Sequence, residues 1–176
     1  MNSTKKGENM DKEKVYMVRG KPDAEKTYGV DDTFFPLLKY LKKEHPFRIW
    51  AATPSKDLVK TLELHNFNVG TAKEEFLQAK PPFENFDILI ANATTTMRDK
   101  FVEKCFSYSK PFAILLPLAS LISGKAYELF KKYGISIIAL DASINLTGRK
   151  GKGVPAAWFV WGVFSGNQII FESMGK

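Results

Sequence analysis

The residue best placed for chemistry is Asn92. It closes FDILIAN (86–92), and a buried strand of an α/β sheet carries its last side chain to the edge where such sheets bind ligands. The residues that follow, Ala93, Thr94 and Thr95, bring hydroxyls but no base, acid or aromatic ring. Other reactive groups are sparse. Cys105, the single cysteine, sits in EKCFSYS with no histidine or second thiol beside it, so it reads as a core residue in a reducing compartment. His45 and His65 lack ligand spacing and read as helix-end residues, which leaves no basis for a zinc site or a triad. The remaining constellation is TGRKGKGVP, where Arg149, Lys150 and Lys152 stand among glycines with no acid between Asp141 and Glu172. Uncompensated cations on a pliant backbone suit contact with a polyanion such as nucleic acid, and a solvated connection is the plainer alternative.

Composition bounds what these residues can belong to. A chain of 176 residues suits one domain that needs no disulfide or metal to hold it. The first fourteen residues, MNSTKKGENMDKEK, have almost no apolar content and read as a disordered or appended tail, leaving 15–176 as the domain. No apolar run is long enough for a membrane span and no signal-peptide core precedes the domain, so a soluble, cytoplasmic protein is expected. The formal charge of +7 permits attraction to nucleic acid without requiring it.

The elements that must position these side chains follow from periodicity. VYMVRG is an extra strand or a packed arm. TFFPLLKYLKKEH sets Phe34, Leu37, Leu38 and Leu41 on one helical stripe, with Asp32 or Thr33 as its cap. FRIWAA is a strand, and TPSKDLVKTLELHN a helix capped by Ser55, burying Leu58, Val59 and Leu62 and ending on Asn66 in the left-handed region. FNVGTA is a short strand, KEEFLQAKPPFEN a loop interrupted by prolines, and FDILIAN a strand apolar enough to be covered on both faces. TMRDKFVEKCFSYS is a helix in which Thr96 and Asp99 spell a capping box. PFAILLPL, SGKAYELFKKYG with Ala126, Leu129, Phe130 and Tyr133 inward, and ISIIALDAS continue the alternation. AAWFVWGVF and QIIFES close it as a strand and a last strand or hairpin. The expected fold class is α/β, a mostly parallel sheet with helices on both faces and an antiparallel C-terminal ending.

Between Tyr28 and Phe164 the order of segments resembles the compact phage and prophage DNA adenine N6-methyltransferases, above all in FVEKCFSYSKPFAILLPLASLISGKAYELFKKYGISIIALDASINLTG and PAAWFVWG. The resemblance implies a Rossmann-like methyltransferase fold and, in an intact member, S-adenosylmethionine. Three motifs of that family depart from its pattern here. The turn after the first strand is WAATPSKD, with Ala51 where an acid is expected and no glycine between Trp50 and Gly70. The second strand ends in Ala72 and Lys73 instead of an acid that would hold ribose hydroxyls, and Glu74 comes late. The Asn/Asp-Pro-Pro-aromatic motif survives only as Asn92, because Ala93, Thr94 and Thr95 replace the prolines and the ring that would stack on a flipped base.

The expectation is therefore a catalytically degenerate methyltransferase-fold protein of phage type, with no cofactor. It would serve as a binding module for nucleic acid, through Arg149, Lys150 and Lys152, or for a host protein, as a decoy or inhibitor of host defence. The alternative is an active adenine methyltransferase with an unusual cofactor loop. There Asn92 would be catalytic, and Trp50, Thr53, Ser55 and Glu74 would hold S-adenosylmethionine. A further alternative is a small-ligand binder or another enzyme using the reshaped pocket.

Overall fold

A computed structural model describes residues 27–41, 47–53, 55–147 and 152–174. The tail, VYMVRG, His45, Pro54, Arg149 and Lys150 lie outside the described residues. The strands are β1 (Thr27–Gly29), β2 (Arg48–Ala51), β3 (Asn68–Gly70), β4 (Ile88–Asn92), β5 (Phe112–Pro117), β6 (Ser136–Asn145), β7 (Val154–Trp161) and β8 (Ile169–Glu172). The helices are α1 (Phe34–Leu38), α2 (Lys56–Leu64), α3 (Arg98–Ser107) and α4 (Gly124–Tyr133).

The strands form an eight-stranded sheet in the order β3-β2-β4-β5-β7-β6-β1, with β8 also on β6. Every pairing is parallel except those of β7, which is wedged antiparallel between β5 and β6. The expected antiparallel ending is thus β7 alone. QIIFES is not the second arm of a hairpin with β7: β8 runs parallel to β6, pairing Ile137–Leu140, while β1 pairs Ser143–Asn145 farther along.

Alternation along the strands sorts the core into two layers. Ile88 and Ile90 of β4 face α1 and α2, with Phe34, Leu37, Leu58, Leu62 and Trp158 in that layer. Leu89 and Ala91 face α3 and α4, with Val102, Cys105, Ala126, Phe130 and Phe159. This is why FDILIAN and PFAILLPL are apolar without a period of two: both faces are covered by helices. Trp158 and Trp161, three apart, point to opposite faces as a strand requires; Trp158 is buried beneath Phe34 and Trp161 is half-buried against Phe112.

Two capping expectations are corrected. Neither Asp32 nor Thr33 caps α1: Asp32 accepts from Gly29 N at 3.0 Å, and the Thr33 hydroxyl turns back to donate to Val30 O. Thr96 and Asp99 form no capping box either. The α3 N-terminus has no side-chain cap, and Asp99 reaches across to accept from Lys125 N and Ala126 N of α4, both at 3.2 Å. That contact leaves no room at Gly124, which sits at φ 75°, where an added Cβ would come within 2.8 Å of the Asp99 carboxylate. Ser55 does cap α2, accepting from Leu58 N at 3.0 Å, and Asn66 takes the left-handed conformation at φ 63°. Val59 and Leu129 are half-buried instead of buried, and Tyr133 is exposed at the end of α4 while its ring packs on Phe106.

Candidate functional site

A cavity of about 620 Å³ opens at the carboxyl ends of β2, β3 and β4, where the fold predicts a ligand site. Its floor comes from strand ends, Ala52 and Thr53 after β2, Ala72 after β3, and Asn92 and Ala93 at the end of β4. Met97 and Phe101, one helical turn apart at the start of α3, and Phe34 of α1 add apolar walls. Asp31, Lys73, Glu74 and Glu75 bring charge to the rim.

Of the residues singled out in the sequence, Asn92, Thr53, Ser55 and Glu74 converge on this cavity. Trp50 does not line it. Its indole is buried between Phe76, Phe86 and Tyr108, on the sheet face covered by α3, and Nε1 has no hydrogen-bond partner. Depth explains the separation: Trp50 sits one residue before the strand end, inside the core, whereas Ala52 of the same layer lies beyond the strand end and reaches the cavity. Lys152 is exposed just before β7, and the stretch it belongs to follows Leu146 and Thr147, both of which line the cavity.

The geometry around Asn92 is specific. The Thr53 hydroxyl oxygen accepts from the Asn92 main-chain N at 2.7 Å and donates its proton to Asn92 Oδ1 at 2.5 Å. Having accepted from the amide, the hydroxyl has one proton to give, and Oδ1 is positioned to take it. Ser55 is committed as well, donating to Asp31 while capping α2. Thr53 and Ser55 of the turn are therefore both engaged, one with the end of β4 and the other with Asp31 and the start of α2.

Two contributors carried no signal in the sequence. Asp31 enters from the turn between β1 and α1, placed by the pairing of β1 with β6. Lys104 of α3 holds the cavity's outer loop from below, donating to Phe76 O, Leu77 O and Ala79 O at 2.5, 2.9 and 2.8 Å. Burial lowers the pKa of this ammonium from its ordinary value. Burial also pushes the Cys105 thiol far up, so the cysteine is inert core, as its sequence context implied.

The residues present do not fit S-adenosylmethionine as a methyl donor. The sequence places no glycine after β2 that would leave the backbone open for the methionine part, and the Thr53 and Ser55 side chains are engaged internally. Asn92 Oδ1, the atom that would accept a hydrogen bond from a target amine, is already bonded to Thr53. Among the described residues there is no cluster of side chains suited to a metal ion and no helix long and apolar enough to cross a membrane.

No family model matches the chain, and no curated protein matches it. Among solved structures, it is similar to a predicted O-methyltransferase from Agrobacterium tumefaciens, at 12% identity and a TM-score of 0.43 over 78% of this chain and 84% of that one. It is also similar to the methyltransferase subunit of a type I restriction-modification system from Streptococcus thermophilus, at 15% identity and a TM-score of 0.48 over 81% of this chain. The match spans 46% of that subunit, under half its length. Likeness at this level carries no functional argument; the parallel sheet with its inserted antiparallel strand and helices on both faces has the Rossmann-like methyltransferase fold.

Proposed function

We propose that this protein keeps the methyltransferase fold without methyl transfer and works as a binding module, with nucleic acid as its partner. The observation that carries the first half is the closed pair between Thr53 and Asn92. Methylation of an amine needs an acceptor aimed at the amine's protons, raising the nitrogen's nucleophilicity as the methyl group approaches. Here that acceptor is shared with the Thr53 hydroxyl, and no proline-shaped loop or stacking ring follows it. Calorimetric titration with S-adenosylmethionine and S-adenosylhomocysteine is expected to show no heat up to millimolar ligand. Micromolar affinity, or labelled methyl reaching adenine-containing DNA, would restore the reading of an active enzyme.

The partner is supported by charge. The chain carries +7 overall, and Arg149, Lys150 and Lys152 follow directly on the cavity-lining pair Leu146 and Thr147. Phosphate contacts tie affinity to counterion release, at about 0.9 log units per neutralised phosphate for each tenfold rise in salt on duplex DNA. Replacing these cations together by Ala is expected to weaken duplex binding at low salt and flatten the salt slope by up to about 2.7 units, measured by fluorescence anisotropy across a salt series. Identical affinity and slope in both proteins would move the partner to a protein, the host-defence target of the alternative reading.

A further inference from the structure

β8 is a sheet edge with an apolar side and, among the described residues, no strand beyond it. It pairs with β6 alone, and Ile137 N donates to Gln168 O. In a parallel ladder this leaves the main-chain N–H and C=O groups of Ile169 and Phe171 turned away from β6. The side chains of the same two residues are 64% and 82% exposed, on the face where their neighbours Ile137 and Ala139 belong to the core layer of α3 and α4. Unpaired main-chain groups are a template for another strand, and sheets commonly guard such an edge with lysine or proline. β8 reads Ile-Ile-Phe-Glu and has neither, and its one charge, Glu172, is bonded to Lys39 and Tyr40.

The chain enters the sheet at this same place. β1 and β8 share one edge of β6, where β8 ends opposite Leu140 and β1 begins opposite Ser143, so the residues ahead of Thr27 arrive beside the end of β8. The longest apolar run among them is Val15-Tyr16-Met17-Val18, rich in strand formers, with the six residues Lys21 to Lys26 between Gly20 and β1. We propose that VYMVRG (15–20) adds a strand to the outer edge of β8, parallel to it, and covers Ile169 and Phe171. Reach sets the direction. A parallel strand brings Gly20 beside Glu172, about 10 Å along the sheet from Thr27, a gap that six residues spanning up to about 20 Å cross with slack. An antiparallel strand leaves Gly20 beside Ile169, about 20 Å from Thr27 and at the full stretch of the same six residues. Because all four residues of the run are apolar, either alternation sets two of them on the face of Ile169 and Phe171. The added strand is independent of what the cavity or the basic segment binds.

Residue-resolved hydrogen exchange and nuclear Overhauser spectroscopy on the full chain test it. Tyr16→Pro combined with Met17→Pro removes a ladder N–H in either alternation and leaves the described residues untouched. The Ile169 and Phe171 amides are expected to exchange at least about tenfold more slowly in the wild type than in this double variant. The Ile170 amide, which faces β6, is expected to keep its protection in both, showing that the variant remains folded. Cross-peaks between residues 15–18 and 169–172 are expected to advance in the same order along both segments. Coil-like exchange at Ile169 and Phe171 in the wild type, or slow exchange that survives the double substitution, would overturn the inference. Protection that rises with protein concentration would assign the edge to a second copy of the chain, and cross-peaks joining 15–20 to Tyr28 would make the segment a hairpin arm on β1; either result also overturns it. An antiparallel order of cross-peaks along β8 would overturn the direction inferred from reach.

Discussion

The half of the sheet built on β5, β7 and β6 and the carboxyl ends of β2, β3 and β4 are held by different kinds of interaction. Every residue of β5 is buried, and β7 contributes Trp158, Phe159 and Val160 to core layers on both faces. At the cavity, by contrast, side-chain hydrogen bonds tie the strand ends and turns together, Thr53 with Asn92 and Ser55 with Asp31. The segments that resemble the methyltransferases most clearly are those of the first region, and the departures fall in the second. Interior packing leaves little freedom, because each buried side chain touches many others and a change of volume is felt by all of them. A polar residue at a strand end is freer: it can lose its chemical role without destabilising the fold, provided another group satisfies it, as Thr53 satisfies Asn92.

The largest effect is expected in the core half. Trp158→Ala removes a fully buried indole that packs on Phe34 at 5.1 Å and donates to Thr33 O at 2.9 Å. It is expected to cost about 3 to 5 kcal/mol in denaturant unfolding, and a cost near that of a surface change would show the core half to be no more tightly packed than the cavity.

A smaller effect is expected where a side chain joins helices. Asp99→Ala deletes the acceptor for two amides at the start of α4 and should cost about 1 to 2 kcal/mol. Burial pushes the Asp99 carboxyl upward, but the amides of Ala126 and Lys125 and the neighbouring Arg98 outweigh it, and its pKa lies below the ordinary value. Its contribution is therefore fully present above the unfolded-state carboxylate pKa and is lost as pH falls through the lower folded value. Glu172, held down by Lys39 and Tyr40, behaves with the same sign. Acid titration of stability is expected to show a shallower loss for Asp99→Asn than for the wild type, and identical slopes would remove Asp99 from this linkage.

The smallest effect sharpens the site. Asn92→Ala is expected to change the unfolding free energy by no more than about 1 kcal/mol, since the Thr53 hydroxyl keeps the main-chain N of residue 92 and can turn its proton to water. A loss of several kcal/mol would make Asn92 part of the core economy and not a replaceable strand-end group.

Much of the architecture was legible in the residues. Near-continuous apolar runs in FDILIAN and PFAILLPL specified strands covered on both faces, because such runs satisfy no one-sided period. The stripe Phe34, Leu37, Leu38 and Leu41 specified one helical face, and Ser55 its neighbour's cap, since both depend on spacing along the chain. The missing glycine, acid and Pro-Pro-aromatic motif were likewise visible as residue types. What the tertiary structure alone decided are the partnerships between distant segments. Asp99 matched a local capping box yet caps α4, because α3 and α4 lie side by side on one sheet face. Trp50, adjacent in sequence to the cavity turn, stays outside the cavity because its indole is sunk among Phe76, Phe86 and Tyr108. Thr53 and Asn92 are 39 residues apart, and only the parallel pairing of β2 with β4 brings the hydroxyl to the carboxamide. Sequence patterning encodes which face of an element is apolar; which donor meets which acceptor depends on the packing of those faces in three dimensions.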